Sequence, residues 1–171
     1  LSLVARDATA ESLRAGGLRV HSRGDEIHCR PAIVEHPSKL GCQDIVILAV
    51  KGDSVAGLAY DVSRTLGRNT AIVAAQNGIP WWFTHGLVPA GPPLDTVDPA
   101  GAVSAALPPA QTVGCVIEAL PARVTEPGVV EHGDLLQLAF GTPGPDGPHT
   151  ACHTLADLFA RAGATTSVSY D

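Results

Sequence analysis

The segment DIVILAVK (residues 44–51) constrains the fold of this 171-residue chain more than any other. Six consecutive apolar residues stand between a carboxylate and an ammonium. Unbroken apolarity fits a strand covered on both faces, as at the centre of a parallel sheet, better than a half-exposed strand. The stretch that follows, DSVAGLAYDVSRTLG (53–67), sets Val55, Leu58, Ala59, Val62 and Leu66 at helical spacing and reads as an amphipathic helix. TAIVAAQNG (70–78) is then the next strand.

Upstream, LSLVA (1–5) reads as a short buried strand. DATAESLRAGGL reads as a helix with Asp7 as N-cap, Leu13 facing inward and Gly16-Gly17 as its end. LRVHS and EIHCRPAIVEH alternate around the turn RGDE, which predicts a small hairpin or meander. Strand, helix, strand, helix, strand is the rhythm of a doubly wound, Rossmann-like α/β sheet. Downstream, residues 84–109 read as a Gly/Pro-rich loop holding a short strand LDTV and a short helix PAGAVSAAL. QTVGCVIEAL, ARVTEPGVVEHG and LLQLAFGTP read as antiparallel strands with a turn at Pro127-Gly128. TACHTLADLFARAG is a last amphipathic helix, and TTSVSYD a strand that breaks off.

A formal charge of −6 with no basic run argues against nucleic acid or an anionic membrane as partner, since both need clustered Lys and Arg. Cys29, Cys42, Cys115 and Cys152 are scattered without metal-ligand spacing, so no metal is expected. Four reduced thiols and no leader-like segment fit a cytoplasmic protein. The chain contains no methionine and opens directly on an apolar strand pattern. The expectation is a chain cut from a longer one.

In a parallel α/β sheet, ligands bind beyond the C-terminal ends of the strands. Arg6, Lys51 and Asn77 each stand at or just after such an end. Lys51 reads either as a solvated lysine closing a strand or as a cation for a nicotinamide amide, carboxylate or carbonyl oxygen. Asn77-Gly78 reads either as a turn or as a carboxamide offered to a substrate, with Ile79-Pro80 starting the next helix. After the second strand of a dinucleotide fold, an acid suits NAD and a cation a 2′-phosphate, so Arg6 favours NADP. Asp7 competes as an NAD-type acid. Two adjacent indoles, Trp81 and Trp82, cannot both face inward from one helix, so at least one should line a groove or an interface. That hint is compatible with a homodimer. His85 and His132 are the histidines nearest the rim, each without an orienting partner in sequence. A G-x-G-x-x-G turn is absent from these residues.

Taken together, LVAR after the second strand, DIVILAVKGDSV, AAQNGIPWWF, LDTVDPAG and GCVIEALPARVTEPGVVEHGDLLQLAFGTP resemble the N-terminal domain of the ketopantoate reductase (2-dehydropantoate 2-reductase) family over nearly the whole chain. The resemblance implies reduction of 2-dehydropantoate to (R)-pantoate with NADPH, on the way to pantothenate and coenzyme A. It implies that Arg6 meets the 2′-phosphate, that Lys51 lies near the nicotinamide, and that Asn77 contacts both cofactor and substrate. Ala122 falls near a cofactor-contacting alanine, although EALPA carries an extra residue before it. The family's glycine turn belongs upstream of Leu1, and its catalytic lysine and a key glutamate to a helical domain after residue 171. No catalytic residue is therefore expected here. Residues 1–171 then form an incomplete NADP-binding domain lacking its first βα unit, with the helical domain absent and turnover slight at best. The rival readings are a reductase for another 2-oxo acid, a non-catalytic nucleotide-binding remnant, and a truncated product without a stable fold.

Overall fold

The computed structural model describes residues 1–87, 91–92, 94–145 and 147–169. Parts of three expected segments, the 84–109 loop, the turn-rich connector at 141–148 and the final strand, therefore lie outside the described residues. The chain forms two compact units, residues 1–40 with 119–136, and residues 41–118 with 137–171.

In the first unit, β1 (Ser2–Val4) pairs in parallel with β4 (Ala32–Val34). Helix α1 (Asp7–Gly16) buries Ala10 and Leu13, and Gly17 ends it at φ +77° with its N–H on the Leu13 carbonyl. The cap position is Arg6, one residue before the expected Asp7, and no side chain caps the helix. Asp7 itself takes φ +53°, a region that Asp tolerates better than most residues. A four-stranded sheet follows in the order β3 (Asp25–Cys29), β2 (Leu18–Ser22), β9 (Val129–His132), β8 (Ala122–Glu126). The β2–β3 hairpin turns through Arg23 and Gly24, both at positive φ, which matches the right-handed twist of the flanking strands. The β8–β9 turn at Pro127-Gly128 is antiparallel as expected, whereas β9 lies parallel to β2. Residues 32–34 do not extend the hairpin, because they pair with β1 instead.

The second unit carries a five-stranded sheet in the order β11 (Thr165–Val168), β10 (Gln137–Gly141), β7 (Thr112–Ala119), β6 (Leu66–Ala75), β5 (Gln43–Leu48). The β5–β6, β6–β7 and β10–β11 pairs are all parallel. This corrects the antiparallel expectation for 112–119: the long excursion from β6 to β7 returns the chain to the same edge. Helix α2 (Val55–Ser63) packs Val55, Ala59 and Val62 onto Leu48, Ile72 and Ala74, in one core with Val103 and Leu107. Helix α4 (His149–Arg161) buries Cys152, Leu155 and Ala156. Ile72 is fully buried, and a side chain of that size contributes about 2 kcal/mol by leaving water.

Three more expectations change here. β5 is an edge strand among the described residues, with Ile45 and Ile47 exposed while Leu48 is buried. LDTV (94–97) forms a turn rather than a strand, and α3 (Ala102–Ala106) follows a 3₁₀ turn at Pro99–Gly101. Residues 81–86 form successive turns, not a helix, with Phe83 N–H on the Pro80 carbonyl and His85 N–H on that of Trp82. The sheets are mostly parallel, as in a Rossmann-like α/β fold.

Candidate functional site

The C-terminal edge of the parallel sheet in the second unit gathers Lys51, Gln76 and Asn77. Paired residues of β5 and β6 end at Leu48 and Ala74, so the chain beyond them leaves the ladder. Lys51 is exposed and extended at φ −62°, ψ 146°, just before a 3₁₀ turn over Gly52–Ser54. Its carbonyl accepts from the Ser54 N–H at 2.9 Å. Among the described residues, its ammonium enters no ion pair.

Asn77 stands just beyond β6, and its side chain does the work of a peptide group. Nδ2 donates to the Ile117 carbonyl at 2.9 Å, and Oδ1 accepts from the Ile117 N–H at 3.0 Å. The register Ala75↔Cys115 would bring Ile117 opposite Asn77, so the carboxamide replaces the next rung of the β6–β7 ladder. The main chain can then turn away at Gly78, at φ +115°, without leaving β7 unpaired. Each amide end retains one more hydrogen bond to give, one donor and one acceptor, on an exposed side chain.

Gln76 reaches the other way. Its Nε2 donates to the Val50 carbonyl at 2.6 Å, and its own N–H donates to the Cys115 carbonyl at 3.3 Å. Consecutive amides thus tie the end of β6 to both neighbouring strands. Gln76 is absent from the residues that sequence pattern singles out; the available signal was the Gln-Asn doublet itself, two amides where an apolar strand stops.

Arg6 and Ala122 belong to the first unit. Arg6 follows β1, is exposed, and its guanidinium has no hydrogen bond or ion pair among the described residues. Ala122 opens β8 opposite His132. His132 is held by the Ser22 hydroxyl at 2.8 Å and the Leu135 carbonyl at 3.2 Å, an ordinary framework role. In the second unit, Trp81 is buried with Nε1 donating to the Leu107 carbonyl, and Trp82 crosses it edge-on at 4.4 Å. Both indoles and His85 line a cavity of about 650 Å³ with Thr84, Asp95 and Ser104. Gly114 of β7 lies beside Trp82, whose Cζ2 would stand in ordinary contact, at 3.4 Å, with a Cβ built there. No group of three or more His, Cys, Asp or Glu among the described residues is arranged to hold a metal ion. No helix among them is long and apolar enough to cross a membrane.

Residues 1–144 match the family model described as Ketopantoate reductase PanE/ApbA. The chain belongs to the ketopantoate reductase family. It is 33% identical over 177 residues to the 2-dehydropantoate 2-reductase of Mesorhizobium japonicum, a match that covers 100% of this chain and 52% of that protein. A crystal structure of a candidate ketopantoate reductase from Ralstonia solanacearum superposes with a TM-score of 0.88 at 34% identity, over 98% of this chain and 52% of that one. The ternary structure of D-mandelate dehydrogenase with NADH and anilino(oxo)acetate shares the fold, with a TM-score of 0.74 at 19% identity over 98% of this chain and 48% of that one. The chain thus spans about half the length of the curated relative it matches.

Proposed function

We propose that this chain is the cofactor-binding part of an NADPH-dependent 2-dehydropantoate 2-reductase that forms (R)-pantoate for pantothenate and coenzyme A. The observation that carries the reading is the rim at the ends of β5 and β6. An exposed ammonium and a carboxamide with spare donor and acceptor capacity stand there on adjacent parallel strands, linked through the Gln76–Val50 hydrogen bond. The residues suit an anionic dinucleotide and a 2-oxo acid. Arg6 offers a guanidinium unpaired among the described residues for a 2′-phosphate, where a planar fork of donors is the fitting group. Ala122 lies beside the cofactor in the same reading, which the family relationship supports.

NADPH, when bound, supplies the hydride. Lys51 supplies positive charge where a carboxylate or a developing alkoxide needs it, and Asn77 orients a polar group with its remaining donor and acceptor. Reduction of a ketone also needs a proton at its oxygen. We assign that donor to residues outside positions 1–171, and the 171-residue chain alone to negligible turnover.

The test is NADPH oxidation by the full-length gene product with 2-dehydropantoate, beside a panel of other 2-oxo acids. Preference for 2-dehydropantoate supports the substrate assignment, and preference for another 2-oxo acid overturns it. Measurable turnover by the 171-residue chain would overturn the division of labour.

A further inference from the structure

We propose that Gln76 is a positioning residue that fixes the direction in which Lys51 leaves the sheet. The inference rests on the role assigned to Lys51 above. Beyond the paired residues Leu48 and Ala74, the β5 chain has no ladder partner toward β6 among the described residues. The Val50 carbonyl lies two residues past that end, and the Gln76 side chain supplies the missing donor at 2.6 Å. The peptide on the other side of Lys51 is held as well, by the Ser54 N–H at 2.9 Å on the Lys51 carbonyl. Both peptides flanking the Lys51 α-carbon are therefore restrained while the ammonium stays unpaired among the described residues.

Gln76 is well placed for this because it is itself anchored. Its N–H bonds to the Cys115 carbonyl, and its neighbour Asn77 grips Ile117 at two points. The side chain is half-buried, so the amide competes less with water than a surface glutamine would. The result is a fixed spacing between the backbone that carries Lys51 and the backbone that carries Asn77. Two groups that act on one substrate need that spacing, since a displacement of about 1 Å can cost roughly 100-fold in rate.

A double-mutant cycle in the full-length enzyme tests it. Gln76→Leu keeps the bulk and removes the donor; Gln76→His returns an N–H at similar reach. With Lys51 present, Gln76→Leu should lower kcat/KM by roughly 10- to 100-fold, and Gln76→His should recover most of it. In a Lys51→Ala background the same Gln76→Leu change should cost less than about twofold. Equal losses in both backgrounds would overturn the proposal, because Gln76 would then act without Lys51. If Lys51→Ala alone leaves turnover intact, the Lys51 reading fails first and the positioning role falls with it. Should Gln76→Leu not fold, Gln76→Glu, which keeps the size and loses the donor, takes its place under the same two outcomes.

Discussion

The Asn77 carboxamide and the Ile117 peptide hydrogen-bond each other at both ends, at 2.9 and 3.0 Å. A side chain thereby completes a sheet at the point where its own main chain turns away. Asn77→Asp keeps the shape but sets a carboxylate oxygen against the Ile117 carbonyl, losing one bond and adding repulsion. Unfolding in urea should show the full-length protein destabilised by about 1 kcal/mol, the size of one net hydrogen bond at an exposed site. Asn77→Gly should lower turnover by orders of magnitude. Unchanged turnover in Asn77→Gly would reduce Asn77 to its role in the sheet.

Arg6 gives a test of cofactor choice that does not depend on turnover. Its guanidinium is exposed after β1 and unpaired among the described residues. If it meets a 2′-phosphate, Arg6→Asp replaces a bidentate partner with a like charge. NADPH binding to the full-length protein should then weaken roughly 100-fold, while NADH binding changes by less than about threefold. Calorimetric titration of both nucleotides reads the difference. Equal losses would remove Arg6 from the assignment.

What sequence made legible follows from which physical signal each residue carries. The β5 and β6 strands are legible as apolar runs and α2 as an apolar stripe at helical spacing. Lys51 and Asn77 stood out as candidates because each follows an apolar strand at the end of the sheet where α/β folds bind ligands. Periodicity does not report neighbours, however. Val46 and Leu48 pack on the core while Ile45 and Ile47 are exposed, and among the described residues the apolar run that suggests a central strand forms an edge. Parallel pairing of β7 was hidden for a related reason, because its partner β6 lies more than thirty residues away in sequence. Gln76 escaped notice because a donor's target, the Val50 carbonyl, is a backbone atom that no side-chain pattern encodes.

Asp98 holds the start of α3 together. One carboxylate oxygen accepts the N–H groups of Val103 and Ser104 at 2.8 and 3.2 Å, and the other accepts the Ser104 hydroxyl at 2.6 Å. The group is buried, and the backbone just before the helix bends through Ala100 and Gly101, both at positive φ. Asp98→Ala leaves those donors without their acceptor and should cost about 2 kcal/mol, whereas Asp98→Asn retains one acceptor and should cost about half of that. Chemical unfolding of the two variants reads the order. An alanine variant as stable as the parent would mean that water replaces the carboxylate at no cost.

Cys115 sets an alkaline limit on stability. It is buried on β7, and burial pushes its thiol up to about 11. Burial raises Cys152 too, against a smaller opposing effect of its backbone hydrogen bond. A raised folded pKa means that the native state keeps its thiol proton more tightly than the unfolded chain does. The associated stability is fully present below the unfolded thiol pKa of about 8.5 and is lost as pH rises through the folded value. The unfolding free energy from urea titrations should therefore be level to about pH 8 and fall toward pH 11, by something of order 2 kcal/mol. Cys115→Ala removes the larger of the two raised thiols and should shrink that fall, even though the smaller side chain lowers stability at every pH. In thiol labelling at pH 8, the exposed Cys29 and Cys42 should react in the native state, and Cys115 and Cys152 only on unfolding. A Cys115→Ala profile parallel to the parent's would assign the alkaline loss to other groups.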